Sequence, residues 1–150
     1  MERSEWLKKI RQHTEDIYDH LSPLYGTRWG NTIDPTHIQF MEKFLARLAP
    51  HSRVLDVACG AGKFDELVCN AGHSVLGIDQ SEGVLDRAVA THPSEKFTNL
   101  RYEKIGFQEM DFHAEFDGLI CMDALEHLFP ENWPDVVRRL AQALEPGGVL

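Results

Sequence analysis

The stretch Arg53-Val-Leu-Asp-Val-Ala-Cys-Gly-Ala-Gly-Lys-Phe64 decides how the rest of the chain is read. Val54, Leu55, Val57 and Ala58 form a short, nearly continuous apolar run, the pattern of a strand buried on both faces. The run breaks into Gly60 and Gly62, after which helical spacing begins. The stretch therefore reads as a strand, a tight turn and a helix start. Glycines lacking side chains let a ligand approach the backbone, while the free N–H groups and positive end of the following helix supply polar contacts. A nucleoside-containing cofactor is the expected ligand.

On the C-terminal side, Phe64, Leu67, Val68 and Ala71 predict one helix face, ended by Gly72. Asp65 and Glu66 in its first turn read as dipole-complementing helix stabilisers. Ser74 to Asp79 predicts a second buried strand ending on an acid. Ser81 then caps a helix with Val84, Leu85, Ala88 and Val89 inward, closed by His92-Pro93. Residues 98 to 105 form a less apolar third strand, placed nearer the sheet edge, and Phe116 to Cys121 a fourth. A helix from about Pro134 to Glu145 buries Val136, Val137, Leu140, Ala141 and Leu144. Pro146-Gly147-Gly148 stops it, and Val149-Leu150 begins a fifth strand.

On the N-terminal side, Trp6, Ile10, Ile17 and Leu21, with Leu7 and Tyr18 alongside, predict an amphipathic helix over residues 3 to 21. Ser22-Pro23 and the aromatic stretch Tyr25 to Gly30 interrupt it, as a lid or a plain linker. Asp34 caps a second helix running to Ala49. Pro35 suits its first turn, and Ile38, Met41, Phe44, Leu45 and Leu48 form its stripe.

Strands alternating with helices imply a parallel sheet with right-handed crossovers and helices on both faces. Ligands of such sheets gather outside the carboxyl ends of the strands, beside the first. Asp56, Cys59, Gly60, Asp79, Gly106, Phe107, Cys121 and Met122 all fall at or just beyond such ends. Asp79, 23 residues after Asp56, can accept both hydroxyls of a ribose; its alternative role is to cap the Ser81 helix.

The chain has 150 residues, enough for one domain, and its 43% hydrophobic and 26% charged composition is that of a globular protein. A net charge of −9 argues against a general electrostatic grip on nucleic acid. Cys59, Cys69 and Cys121 are odd in number and widely spaced, which fits a reducing compartment. With no bilayer-length apolar run and an N-terminus of Glu2-Arg-Ser-Glu5, a soluble cytoplasmic protein is expected. His37, His51, His73 and His113, joined by no spacing, are assigned to the solvated surface.

The set Val54-Leu-Asp-Val-Ala-Cys-Gly-Ala-Gly62, Gly77-Ile-Asp79, Phe116-Asp-Gly-Leu-Ile-Cys121 and Leu144-Glu-Pro-Gly-Gly148 resembles the class I S-adenosylmethionine-dependent methyltransferases. The resemblance covers roughly residues 34 to 150. It implies an α/β, Rossmann-like three-layer sandwich with a mostly parallel sheet, lacking the last strands of the seven-stranded methyltransferase fold. Residues 1–33 are then an N-terminal helix and cap segment, and 34–150 the cofactor-binding domain. The implied cofactor is S-adenosylmethionine, its product S-adenosylhomocysteine.

By the same resemblance, backbone around Ala58, Cys59, Gly60 and Gly62 holds the methionine part, and Asp56 acts on its amino group. Asp79 holds the ribose, and Gln80 lies beside the adenine. Gly106 and Phe107 flank the ring, while Cys121 and Met122 form the wall near the sulfonium. Ala58 replaces a glycine frequent in the family, and Gly106 an aspartate. A nicotinamide dinucleotide is the weaker alternative, because Asp65 stands where its fingerprint has a third glycine and would repel a pyrophosphate.

Methyl transfer is an in-line displacement that needs alignment, exclusion of water and, for a hydroxyl acceptor, a base. In Asp123-Ala-Leu-Glu-His127, His127 is the candidate base. Asp123, Glu126 and His127 jointly holding a metal ion, or forming only a polar wall, are the alternatives. Tyr18, Tyr25, Arg28 and Trp29 are candidates to close over the ligands. Relatives continue for further strands past the fifth, so the chain is expected to be an N-terminal piece with a bare sheet edge, open to homodimerisation. The expected function is methyl transfer to a small-molecule acceptor; the alternative is a non-catalytic cofactor-binding or interaction module.

Overall fold

The computed structural model describes residues 1–25, 28 and 33–150. Trp29 and most of the aromatic stretch around it lie outside the described residues. The central sheet is five-stranded: β1 (Arg53–Val57), β2 (Ser74–Asp79), β3 (Leu100–Lys104), β4 (Phe116–Ile120) and β5 (Leu144–Val149), in the order β3-β2-β1-β4-β5. Every pairing is parallel. The most apolar strand sits in the centre: four of the five β1 residues are buried. β3, with one buried residue in five, is at the edge as its composition predicts.

Five α-helices are formed among the described residues: α1 (Arg3–Leu21), α2 (Pro35–Leu45), α3 (Asp65–Asn70), α4 (Glu82–Thr91) and α5 (Trp133–Ala143). The two faces of the sheet carry separate cores. Leu55, Val57, Ile78, Leu119 and Val136 build one, and Val54, Met41, Phe64, Val68 and Ile120 the other, so alternation along β1 sends successive side chains to opposite layers. Caps fall where the sequence places them. Asp34 Oδ1 accepts from Thr36 and His37 N–H at 2.7 and 3.1 Å, and Ser81 Oγ from Val84 N–H.

Three expectations are corrected. The last helix ends at Ala143, and residues 144–149 already pair with β4. Pro146 and the glycines thus sit within an edge strand, where a missing N–H costs least. The second helix likewise stops at Leu45, short of Ala49. The buried stripes are also narrower than their spacing suggests: Ile17, Ile38, Leu67, Val89 and Val137 are exposed. A helix lying on a sheet buries one line of side chains, and neighbouring apolar positions fall outside it.

His73 is buried too, its Nδ1 accepting from Ser52 N–H at 3.2 Å at the foot of the sheet, and His37 is largely covered. His51 and His113 are exposed as expected. The three cysteines are free thiols, and no helix among the described residues is long and apolar enough to cross a membrane.

The N-terminal helix is fastened across the carboxyl end of the sheet. Asp19 Oδ1 accepts from Ser81 Oγ and, at 2.9 Å, from Gly83 N–H, thereby capping α4 from a distant element. Hydrogen bonding, led by Ser81, holds the Asp19 carboxyl below its usual range. Its contribution is therefore present above the ordinary carboxylate pKa and is lost as the pH falls through the lowered one. Asp19→Ala is expected to cost about 1–2 kcal/mol, read as an earlier urea midpoint at neutral pH; an unchanged midpoint would show that the cap is dispensable.

Candidate active site

Between α1 and the strand ends lies a cavity of about 460 Å³. Its floor is built by the loops after β1, β2 and β3: Ala58, Gly60, Asp79, Gln80, Gly106 and Phe107 all line it. One side wall comes from the segment after β4, with Asp123, His127, Leu128 and Phe129. The roof is one face of α1, where Leu7, Arg11, Thr14 and Tyr18 recur at helical spacing. Tyr18 and Tyr25 both reach the cavity, while Arg28 is not among its lining residues.

The glycine turn has the strained geometry that its composition announces. Ala58, Gly60 and Gly62 adopt positive φ angles of 56°, 56° and 75°. The Tyr25 ring lies on Gly60, so close that a Cβ there would stand 3.2 Å from its edge. Asp79 closes the turn from β2: Oδ2 accepts from Gly60 N–H at 3.0 Å and Oδ1 from Ser81 N–H at 2.9 Å. Burial pushes the Asp79 carboxyl upward, opposed by these backbone N–H groups. Asp79→Ala is expected to weaken binding of S-adenosylhomocysteine about 30-fold, or about 2 kcal/mol, measured by calorimetric titration; undiminished affinity would assign Asp79 to helix capping alone.

The side wall pairs Tyr18 with His127. The Tyr18 hydroxyl lies 3.1 Å from His127 Nε2, and the rings meet edge to face at 5.7 Å. Burial, then the charges of Asp79 and Glu126, push the Tyr18 phenol upward. Tyr25 is pushed up to about 12, mainly by burial. Both phenols are therefore neutral at physiological pH. Trp6 stacks edge to face on Phe129, and Arg3 reaches Glu131, so two contacts near the helix start pin roof to wall.

Five of the sequence-derived site residues lie outside the lining. Cys59 and Gly62 are buried in the turn itself, and burial holds the Cys59 thiol protonated. Cys121 and Met122 point to opposite cores rather than together along one wall. Asp56 is buried beneath the turn beside Asp65, and Asp65 is fully buried rather than a surface helix stabiliser. Among the described residues no group of three or more His, Cys, Asp or Glu comes together as a metal site. Asp123 instead meets His37 Nε2 at 3.1 Å, with a positive φ of 54°.

Gly106 gains a reason from the roof. A Cβ there would stand 2.7 Å from the Arg11 guanidinium and 2.8 Å from Glu109, the two sides of an ion pair that bridges α1 to the floor. A larger residue at this position would require the ends of both side chains to shift. Composition offered no signal for Arg11 or Glu109, because their partners come from different ends of the chain.

Comparison with known proteins now fixes the family. A methyltransferase domain model matches residues 54–148, the span from β1 through β5. The chain belongs to the methyltransferase domain family. S-adenosylmethionine is the methyl donor of that family. A ubiquinone biosynthesis O-methyltransferase of Hydrogenovibrio crunogenus is 33% identical over 155 residues, covering 95% of the chain and 61% of the relative. One from Coxiella burnetii is 31% identical over 147 residues, covering 95% and 59%. The chain thus spans about three fifths of the length of these curated relatives.

Among solved methyltransferase structures, an S-adenosylmethionine-dependent enzyme of Mesorhizobium loti is 31% identical with a TM-score of 0.60. It covers 71% of this chain and 49% of its own. The 1,6-didemethyltoxoflavin-N1-methyltransferase of Burkholderia thailandensis shares the methyltransferase fold, at 21% identity and a TM-score of 0.75 over 92% of this chain and 60% of its own.

Proposed function

We propose that the chain forms the donor-binding part of an S-adenosylmethionine-dependent methyltransferase that methylates a hydroxyl of a small molecule. The carrying observation is the single cavity that Asp79 and Gly60 enter from the floor and the Tyr18–His127 pair from the wall. The residues present suit this donor. Asp79, in the cavity lining, offers a carboxylate to ribose hydroxyls. The carboxylates of Asp79 and Asp123 in the lining favour a cationic sulfonium over a pyrophosphate. Asp65 does not discriminate against a dinucleotide, because its side chain is buried away from the cavity.

When bound, the sulfonium supplies an activated methyl group. The chain's own residues align the acceptor, keep water out and take the proton. Leu7, Ile10, Leu128 and Phe129 give an apolar enclosure to the acceptor, and His127 Nε2 receives the hydroxyl proton. Tyr18, neutral and hydrogen-bonded to Nε2, fixes the imidazole until the acceptor hydroxyl takes its place. The O-methylation named for the bacterial relatives supports a hydroxyl acceptor. A cytoplasmic location and association through the β5 edge belong to the same reading.

Calorimetric titration with S-adenosylmethionine and S-adenosylhomocysteine, followed by transfer of labelled methyl to a panel of phenols and catechols, tests it. Binding with transfer is expected. No binding of either ligand would overturn the proposal, and binding without transfer to any acceptor would favour a non-catalytic module.

A further inference from the structure

Beneath the glycine turn, away from the cavity, two carboxylates are buried side by side. Asp56 at the end of β1 is 3% exposed and Asp65 at the start of α3 is 0% exposed. Among the described residues neither Asp56 Oδ2 nor Asp65 Oδ1 has a hydrogen-bond donor. A buried carboxylate oxygen without a donor is costly, and two facing each other cost more. One proton held between them satisfies both oxygens at once, as in carboxyl pairs that cannot both ionise.

The other oxygen of Asp65 is anchored. Tyr102 on β3 donates to Asp65 Oδ2 at 2.8 Å, and the Tyr102 hydroxyl lies 3.0 Å from Nδ1 of His92, just past α4. This cluster packs directly against the turn. A Cβ on Gly62 would stand 2.2 Å from the Tyr102 hydroxyl and 2.8 Å from Asp65 Oδ2. Among the described residues, the titratable groups facing the pair are Tyr102, His92, Cys59 in the turn, Cys69 on α3, Asp79 on β2 and Cys121 after β4. No cation stands among the groups that shift the pair, apart from His92 if it is protonated.

We infer that Asp56 and Asp65 share a single proton beneath the cofactor turn, and that Asp65, anchored by Tyr102, is a positioning residue whose protonation keeps the turn in its cofactor-receiving shape. The inference rests on the donor site proposed above for its effect on binding, but not for the shared proton itself. Burial raises both carboxyls, and the neighbouring Asp65 adds to the rise of Asp56, which goes well above its ordinary value. The folded chain therefore keeps a proton that the unfolded chain releases above the ordinary carboxylate range. The sign follows: this contribution is fully present below that range and is lost as the pH rises toward the raised value. Above the raised value two adjacent buried charges repel, and the turn resting on them shifts.

The test uses the whole chain, ligand-free and with S-adenosylhomocysteine, from pH 5 to 10. In the wild type, the amide resonances of Gly60 and Gly62 are expected to titrate together. Asp65→Asn, which replaces the shared proton by a fixed amide donor, is expected to flatten that titration while leaving both resonances in place. Relative to this variant, the wild type's folded-to-unfolded ratio is expected to fall by up to about tenfold per pH unit through the window. Tyr102→Phe removes a donor to Asp65 and moves the titration to higher pH, which keeps the idea testable if Asp65→Asn folds poorly.

S-adenosylhomocysteine affinity is expected to fall with the same midpoint in the wild type and to stay level in Asp65→Asn. Glycine resonances that do not move with pH, or that move equally in both variants, would overturn the inference. Titrating resonances without any ligand binding would overturn the donor-site reading and the positioning role, and leave the shared proton standing.

Discussion

Replacement of His127 by Gln is expected to lower kcat for methyl transfer by about 10²- to 10³-fold, with S-adenosylhomocysteine affinity unchanged. The expectation follows from position. His127 stands on the wall after β4, beside the space above Asp79 and Gly60, and its Nε2 lies 3.1 Å from the neutral phenol of Tyr18. Glutamine preserves a polar group of similar reach but cannot take a proton, so the loss falls on the chemical step. An effect confined to KM would assign His127 to acceptor binding instead. Tyr18→Phe separates the roles further: it removes the phenol that fixes the imidazole and leaves the base, so a smaller loss in kcat is expected than for His127→Gln.

Gly62→Val is expected to be the most damaging single change to the fold. Gly62 holds φ at +75°, where a β-branched residue is strongly disfavoured, and its missing Cβ faces the Tyr102 hydroxyl and Asp65 within 3 Å. Neither neighbour can retreat freely, because each is held by the other and Tyr102 also lies against Gly77. The combined strain and clash amount to about 3–4 kcal/mol, a large share of the stability of a domain this size. Thermal unfolding and expression as soluble protein would measure it. By contrast Gly72, also at positive φ but with open space around it, is expected to tolerate alanine at the modest cost of the backbone alone. Equal effects at the two sites would show that backbone strain, not the buried cluster, dominates.

Much of this was legible in the chain. The apolar run at β1, the acid ending β2 and the polar character of β3 are local patterns, and they place β2 beside β1 and β3 toward the edge, as the sheet has them. The floor of the cavity was legible for the same reason: Gly60, Asp79, Gly106 and Phe107 are all at strand ends. What escaped was direction and long-range pairing. Strand-end position does not say whether a side chain faces the cavity or a core, and Asp56, Cys121 and Met122, expected at the site, lie outside the cavity lining. Asp65 looked like an ordinary first-turn acid, because its partners Asp56, Tyr102 and His92 come from three other elements. The α5–β5 junction escaped because proline and glycine signal a turn, while an edge strand tolerates both.

The roof has a consequence for the order in which the chain is made. The first helix leaves the ribosome before any part of the sheet, yet the residues that hold it down are Ser81 and Gly83 near the middle of the chain and His127, Phe129 and Glu131 close to its end. Its own sequence buries no residue fully. During synthesis α1 can meet Ser81 and Gly83 once the second strand has been made, but its contacts with His127, Phe129 and Glu131 form only after more than a hundred residues have been added behind it. The cavity's cover is thus made before its floor, yet it is pinned to the wall only after β4 has been made.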